Sequence, residues 1–317
     1  MRRSLASNQA DEQGPKDNPM AEGEGMIRIS RENIVYSFDK AQPPVATVDA
    51  GAEICFETWD ARTGTVQSEG DLLVKPHPRG PNPATGPVTI RGAAPGDALI
   101  VEILDIAVGS QGYTGIRPGQ GVLGHLIGDY RTKIFRIVDG MVVFSDRIRF
   151  PVRPMVGVIG TAPSGDAVGN GYPGSHGGNM DHNDVRVGAR IHLPVFVPGA
   201  LLAIGDVHAC MGDGEISITA LEICSEVRVP VDLAKGARIG RPRIEFPECW
   251  ITTGDGPMVG DAIRVACEEM AALLRRDLGL SVEDTYMLLS IRGDVRVSQC
   301  CDPTVLPATA RVVLPKV

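Results

Sequence analysis

Two stretches in the middle third of the sequence concentrate side chains that could do chemistry. The first, Gly169-Asn-Gly-Tyr-Pro-Gly-Ser-His-Gly-Gly-Asn-Met-Asp181, carries glycine at 169, 171, 174, 177 and 178, too densely for the interior of a regular element. It predicts a shaped loop. Backbone N–H groups at Gly177 and Gly178 could then approach a substrate oxygen, while His176, Asn179, Asp181 and His182 supply polar contacts. Glycine density alone fits a plain surface loop better. The second stretch, Gly205-Asp-Val-His-Ala-Cys-Met-Gly-Asp-Gly-Glu215, gathers carboxylates and one imidazole at a strand exit. Asp206 and His208, two apart on a strand, can present oxygen and nitrogen to one cation, a donor set better suited to zinc or manganese than to calcium or magnesium. Such a cation lowers the pKa of bound water and polarises a carbonyl, which is hydrolytic chemistry. A solvated polar strand exit is the plain alternative, and the closeness of the two stretches favours a shared site.

Other candidates are weaker. Cys210 beside His208 invites a thiolate reading, but adjacency in space rather than in sequence defines such pairs. His77, His125 and His192 lack clustered partners. Gly119-x-Gly121-x-x-Gly124 matches a dinucleotide fingerprint without the strand and helix that fingerprint requires.

The elements that must position these groups read mainly as strands. From Met26 to Phe150, short β-branched and apolar runs alternate with Gly, Pro and Asp. Ala94-Pro-Gly-Asp97 has type II turn chemistry, and Ala98 to Val108 reads as one buried strand. Glu102 lies inside it, so this carboxylate must edge out to solvent or find a cation. Pro198-Gly199 predicts a hairpin joining strands over 190–197 and 200–206. Alternation then sets Leu202, Ile204, Asp206 and His208 on one face. The same logic places Glu222 with Ile216, Ile218 and Ala220 on an inward side. Only the last third is helical: Val259, Ile263, Ala266, Met270, Leu273, Leu274 and Leu278 recur at helical spacing, with Arg275 and Arg276 in the last turn and Gly279 as the stop. Ser281 caps a short helix through Leu289, and a final strand follows over 294–298.

Composition bounds the rest. The chain has 317 residues, 38 of them Gly and 24 Pro, a turn-rich balance that favours β structure. A net charge of -8 leaves no broad basic surface, so nucleic acid and anionic membranes are excluded as partners. Seven cysteines without CxxC spacing suit reduced thiols in a cytoplasm. No run of 18 apolar residues argues for a membrane span. Residues 1–25 read as a disordered N-terminal tail, 26–150 as a β-rich N-terminal domain, 151–232 as a β-rich catalytic core packed on it, and 233–317 as an α+β C-terminal domain. The expected fold class is mainly β, sandwich-like or barrel-like, with the smaller α+β part at the C-terminus.

A set of ordered motifs goes further: Asn82-Pro-Ala-Thr-Gly-Pro87, Gly92-Ala-Ala-Pro-Gly-Asp97, His176-Gly-Gly-Asn-Met-Asp181, Pro194 with Pro198-Gly-Ala200, Gly205-Asp206 with His208-Ala209, Gly212-Asp-Gly-Glu215, and Ala220-Leu-Glu222. From about residue 26 onward the sequence resembles the acetamidase/formamidase family. The resemblance implies hydrolysis of short aliphatic amides to carboxylate and ammonia, on a mostly β architecture assembled as a homo-oligomer. Met211 stands where members often have Gln, which bears on substrate preference. Cys210 stands where Ser or Ala is common, which weakens the thiolate reading, and His182 sits at a variable position.

The expectation is therefore a metal-dependent amidase acting on a small amide. Asp181, Asp206 and His208 hold a divalent cation, zinc being favoured, and Glu215, Glu222 and Glu102 are the candidate general bases. Gly177, Gly178, Asn179 and His176 bind substrate and steady the oxyanion. The competing readings are a non-catalytic β-domain binding a small amide or metal, and a metal-independent amidase using a carboxylate and Cys210.

Overall fold

A computed structural model describes residues 25–75, 77–301 and 307–316. The expected tail lies outside the described residues except at its last position. The protein is mainly β, with a smaller C-terminal part in which two helices pack on strands. No helix among the described residues is long and apolar enough to cross a membrane.

The organising strand is Leu202–Cys210, buried along nearly its whole length. It hydrogen-bonds antiparallel to Met155–Gly160, Ala84–Ile90 and Leu221–Ala234. Leu221–Ala234 is the longest strand, with 14 residues, and it ties the two halves of the structure together. Its first part pairs with Glu53–Thr58 and Asp105–Ile116, and its last residues cross over to pair with Ala98–Glu102. From there a second sheet continues through Arg190–Pro194, Arg243–Glu245, Cys249–Gly256, Ala308–Pro315 and Asp294–Gln299. Apolar side chains from both sheets, among them Phe56, Leu99, Val101, Ile191, Leu202, Ile204 and Val229, form one core. Burying these side chains is the dominant stabilising contribution, worth roughly 1.5–3 kcal/mol for each large one.

Helix α1, Val259–Leu278, lays Ala266, Met270, Leu273 and Leu274 against Val312 and Leu314, and Gly279 ends it in the left-handed conformation. Helix α2, Val282–Arg292, starts as expected at Ser281, whose Oγ accepts the Asp284 N–H at 3.0 Å. It runs one turn beyond Leu289.

Several expectations need correction. The turn at 197–200 forms, with Ala200 N–H bonded to the Val197 carbonyl at 3.1 Å. It does not make a hairpin, because Ala200 and Leu201 are both left-handed and turn the chain from one sheet into the other. Ala98 to Val108 is two strands, Ala98–Glu102 and Asp105–Ile116, broken where the chain changes sheets. Residues 212–220 are turns rather than strand, and Ile216 is half exposed. The strands Arg149–Pro151 and Leu221–Ala234 span positions 150/151 and 232/233.

The glycine-rich stretch is not an open loop. Gly177–Asn179 is a strand held between Met155–Gly160 and Pro173–Gly174. Gly177 has φ +100°, and a Cβ there would lie 2.2 Å from the Ile159 carbonyl oxygen. Gly177→Ala is therefore expected to cost about 2–4 kcal/mol, by strain and displacement together, and to lower Tm by several degrees. Gly165→Ala, where a Cβ meets nothing within 4 Å, should leave Tm unchanged in the same melting experiment.

Candidate active and metal-binding site

Sheet register builds the site. Antiparallel pairing sets His208 opposite Glu222, and Glu222 opposite Tyr113, so three side chains stand in a row across three adjacent strands on one face. Asp206 precedes His208 with φ +52°, a local turn that brings its carboxylate to the same point. Asp181, just past Gly177–Asn179, has φ +48°, and Glu215, in the turn after Cys210, has φ +42°. Left-handed backbone at a residue with a Cβ costs on the order of 1–3 kcal/mol and persists only where the surroundings enforce it. Three of the four acidic residues meeting here carry that cost. Gly157 makes the approach possible, since a Cβ there would sit 2.5 Å from Asp181 Oδ1 and 2.7 Å from the Asp206 carbonyl oxygen.

The ligand atoms of Asp181, Asp206 and His208 lie within 4.8 Å of one another, as do those of His208, Glu215 and Glu222. His208 Nε2 is 3.6 Å from Asp206 Oδ1 and 3.5 Å from Glu222 Oε2. Gln299 Nε2 donates to both Asp181 Oδ2 and Glu215 Oε2 at 2.7 Å, and Asn82 Nδ2 donates to Asn179 Oδ1 at 3.0 Å. Every member of the acidic group is buried. Among the described residues, no Lys or Arg forms an ion pair with Asp181, Asp206, Glu215 or Glu222.

Burial against so little compensating charge moves the proton equilibria. It raises Asp181 and Glu222 well above the usual carboxylate range, with neighbouring carboxylates adding to the effect and His208 opposing it. Glu215 is raised for the same first reason. For His208 burial pulls the pKa down, but Glu222 and Asp206 outweigh it, and the imidazole is raised well above its ordinary value. Asp181 Oδ1, Asp206 Oδ1, Glu222 Oε2 and His208 Nδ1 are buried without a hydrogen-bond partner. Open oxygen and nitrogen donors converging in a buried, acid-rich spot could hold a metal ion. The group lies at the foot of a cavity of about 400 Å³, walled by residues that include Tyr113, Tyr172, Asn179, Arg62 and Arg117.

The sequence-predicted residues divide clearly. Asp181, Asp206, His208, Glu215, Glu222 and Asn179 come together. Glu102 does not, for its side chain is 41% exposed and faces Arg190 at 3.9 Å on the second sheet. Gly177 and Gly178 are committed to the ladder, and neither lines the cavity. His176 packs edge-on against Phe38 at 5.0 Å, and burial lowers its pKa to about 4. Cys210 lines a separate pocket with Phe144 and Phe150, and burial raises its thiol. Sequence reasoning missed Gln299, one residue beyond the expected last strand, and Tyr113, which lies in a strand with no polar motif.

Fold and site together define a mainly β protein built round a buried carboxylate–imidazole centre. The Acetamidase/Formamidase family matches residues 30–171 and 167–316. This chain belongs to that family. A solved acetamidase from Bacillus halodurans is 42% identical with a TM-score of 0.88, the match covering 91% of this chain and 97% of that one. A predicted acetamidase/formamidase from Thermoanaerobacter tengcongensis is 38% identical, TM-score 0.88, covering 92% and 95%. The acetamidase of Mycolicibacterium smegmatis is 32% identical over 61% of this chain and 64% of that protein, so this chain spans less than two thirds of that relative. A γ-lactamase from Delftia acidovorans, 24% identical with TM-score 0.64, shares the fold.

The titrations predict a pH dependence. Raised carboxyls cost stability once pH passes their ordinary values, and the cost is complete above their folded values. Raised His208 contributes stability below 6.5 that is lost as pH climbs through its folded value. Lowered His176 and His182 act oppositely, but only below 6.5, where the unfolded imidazoles charge. Above that pH the metal-free protein should therefore lose stability steadily. Glu222→Gln should raise its Tm at pH 8 by about 2–4 °C for each kcal/mol relieved, and flatten the slope. Thermal unfolding in chelator from pH 6 to 9 measures both.

Proposed function

We propose that the protein is an amidohydrolase that splits short aliphatic amides, the class of acetamide and formamide, into carboxylate and ammonia. The observation carrying this reading is the convergence of four buried carboxylates on one imidazole at the foot of an open cavity. Family membership and the names borne by the relatives support the substrate class.

Asp181, Asp206 and His208 would hold a divalent cation, with zinc favoured by the mixed oxygen and nitrogen donors. The cation, when bound, would supply an acidified water and a polarising charge for the amide carbonyl. Glu222 is the fitting general base. Its Oε1 is fixed by the Ala220 N–H at 3.1 Å, while Oε2 is open beside His208. It takes a proton from water and returns it to the departing nitrogen, which leaves as ammonia. Glu215, held with Asp181 by Gln299, fixes the shape of the acidic group. Asn82 Nδ2 holds the Asn179 side chain, which lines the cavity together with Asp181. Tyr113, buried with its hydroxyl unpartnered and in the same row as Glu222, is placed to donate to the substrate oxygen, the role the sequence assigned to Gly177 and Gly178. Homo-oligomeric assembly and a cytoplasmic setting complete the reading, supported by the family resemblance and by the cysteine pattern.

The test is ammonia release from formamide and acetamide, before and after exhaustive chelation. Wild-type protein should release ammonia, lose the activity with its metal and regain it with zinc. Full activity after metal removal would reject the cation, and no hydrolysis of any short amide would reject the enzyme. Tyr113→Phe should lower kcat about 10²-fold with little change in Tm, as expected for one lost oxyanion donor. Cys210→Ala should retain turnover.

A further inference from the structure

The cavity is larger than its proposed simplest substrates need. About 400 Å³ is within the range that holds drug-sized ligands, whereas formamide and acetamide have only a few heavy atoms. Its wall also holds an unexplained charge. Arg62 and Arg117 both line it, and each guanidinium has only neutral acceptors: Arg62 Nη2 donates to the Lys75 carbonyl at 2.9 Å, and Arg117 Nη1 to Gln120 Oε1 at 3.2 Å. Neither has a carboxylate partner among the described residues. The two repel each other, and burial followed by Arg62 pulls the pKa of Arg117 below its ordinary value, against the opposing effect of Tyr113, Tyr130 and Glu222. Glu222 at the foot of the cavity offsets part of that cost, but no carboxylate lies within ion-pair reach of either guanidinium among the described residues, so a bound anion would offset more.

Arg117 follows the Asp105–Ile116 strand, four positions beyond Tyr113 and in the same alternation, so its backbone stands about 13 Å along the strand from Tyr113. The guanidinium can fold back over part of that distance. An amide held at Tyr113 and Glu222 could thus extend a short chain toward the arginines. Arginine's planar fork matches a carboxylate with two parallel hydrogen bonds. A neutral amide would leave that fork unused.

We propose that Arg62 and Arg117 form an anion subsite, and that the preferred substrates are primary amides whose acyl chain ends in a carboxylate, the monoamides of short dicarboxylic acids. This deepens the amidase reading and rests on it for the cleaved bond. The two arginines bind the distal carboxylate and take no part in hydrolysis, so their contribution is to substrate choice.

The experiment compares kcat/KM of the metal-loaded full chain for the monoamides of succinic and glutaric acids with that for butanamide and pentanamide. Wild type should prefer the charged substrates by about tenfold or more, the scale of one charge-assisted hydrogen bond. In Arg117→Gln and Arg62→Gln the ratio should fall toward one, and added salt should weaken it in wild type. Equal rates on charged and neutral amides in wild type, or a preference that survives both substitutions, would overturn the subsite. Glutarate supplies a second readout independent of turnover: it should raise the Tm of wild type and not of Arg117→Gln. If no amide is split but glutarate protects through Arg117, the subsite stands and the amidase reading fails. If amides are split and glutarate neither protects nor competes, the reverse holds.

Discussion

Four carboxylates and one imidazole share a space of a few ångströms from which water is largely excluded. Ionised carboxylates in such a place repel one another strongly, because the low dielectric screens little. Only protons or a cation can offset that repulsion, and the rest of the local structure follows from the need to keep the groups together. Asp181, Asp206 and Glu215 hold left-handed backbones that a side chain rarely adopts. Gly157 forgoes a side chain, and Gln299 is spent on bridging two acids rather than on packing. Each is a local cost that a protein selected for stability alone would not carry.

The β framework can bear these costs because it is over-determined around them. Leu202–Cys210 is bonded on its flanks by three strands, and apolar residues from two sheets close over it. Rows of side chains across such a sheet are fixed in register, which is why His208, Glu222 and Tyr113 meet although 109 positions of sequence separate Tyr113 from Glu222. The cavity above the row draws its wall both from the neighbours of the row, such as Arg117 and Thr219, and from distant segments, such as Arg62 and Tyr172.

Much of this was legible in the sequence. Glycine and polar density marked the segments holding Asp181, Asp206, His208 and Glu215, and helical spacing marked α1 to within its caps. The failures have physical reasons. Glu222 was reached through a register that does not exist, since 212–220 turns instead of extending. Glu102 sat in an apolar run, but that run breaks between two sheets and leaves the side chain at an edge beside Arg190. The glycines at 177 and 178 serve close strand approach, which in sequence looks the same as close substrate approach. Gln299 and Tyr113 carry no local signal, because their neighbours at the site come from other strands and strand partners are set by the whole fold.

The central claim is that the buried acids and His208 form one cation site. Titrating metal-free protein with zinc in a calorimeter, in buffers of different ionisation enthalpy, counts both the ions bound and the protons displaced. The account predicts one ion for each chain at this site, with release of at least one proton at neutral pH, because raised carboxyl and imidazole groups must give up protons to become ligands. Binding without proton release, or binding unaffected by His208→Ala, would contradict it.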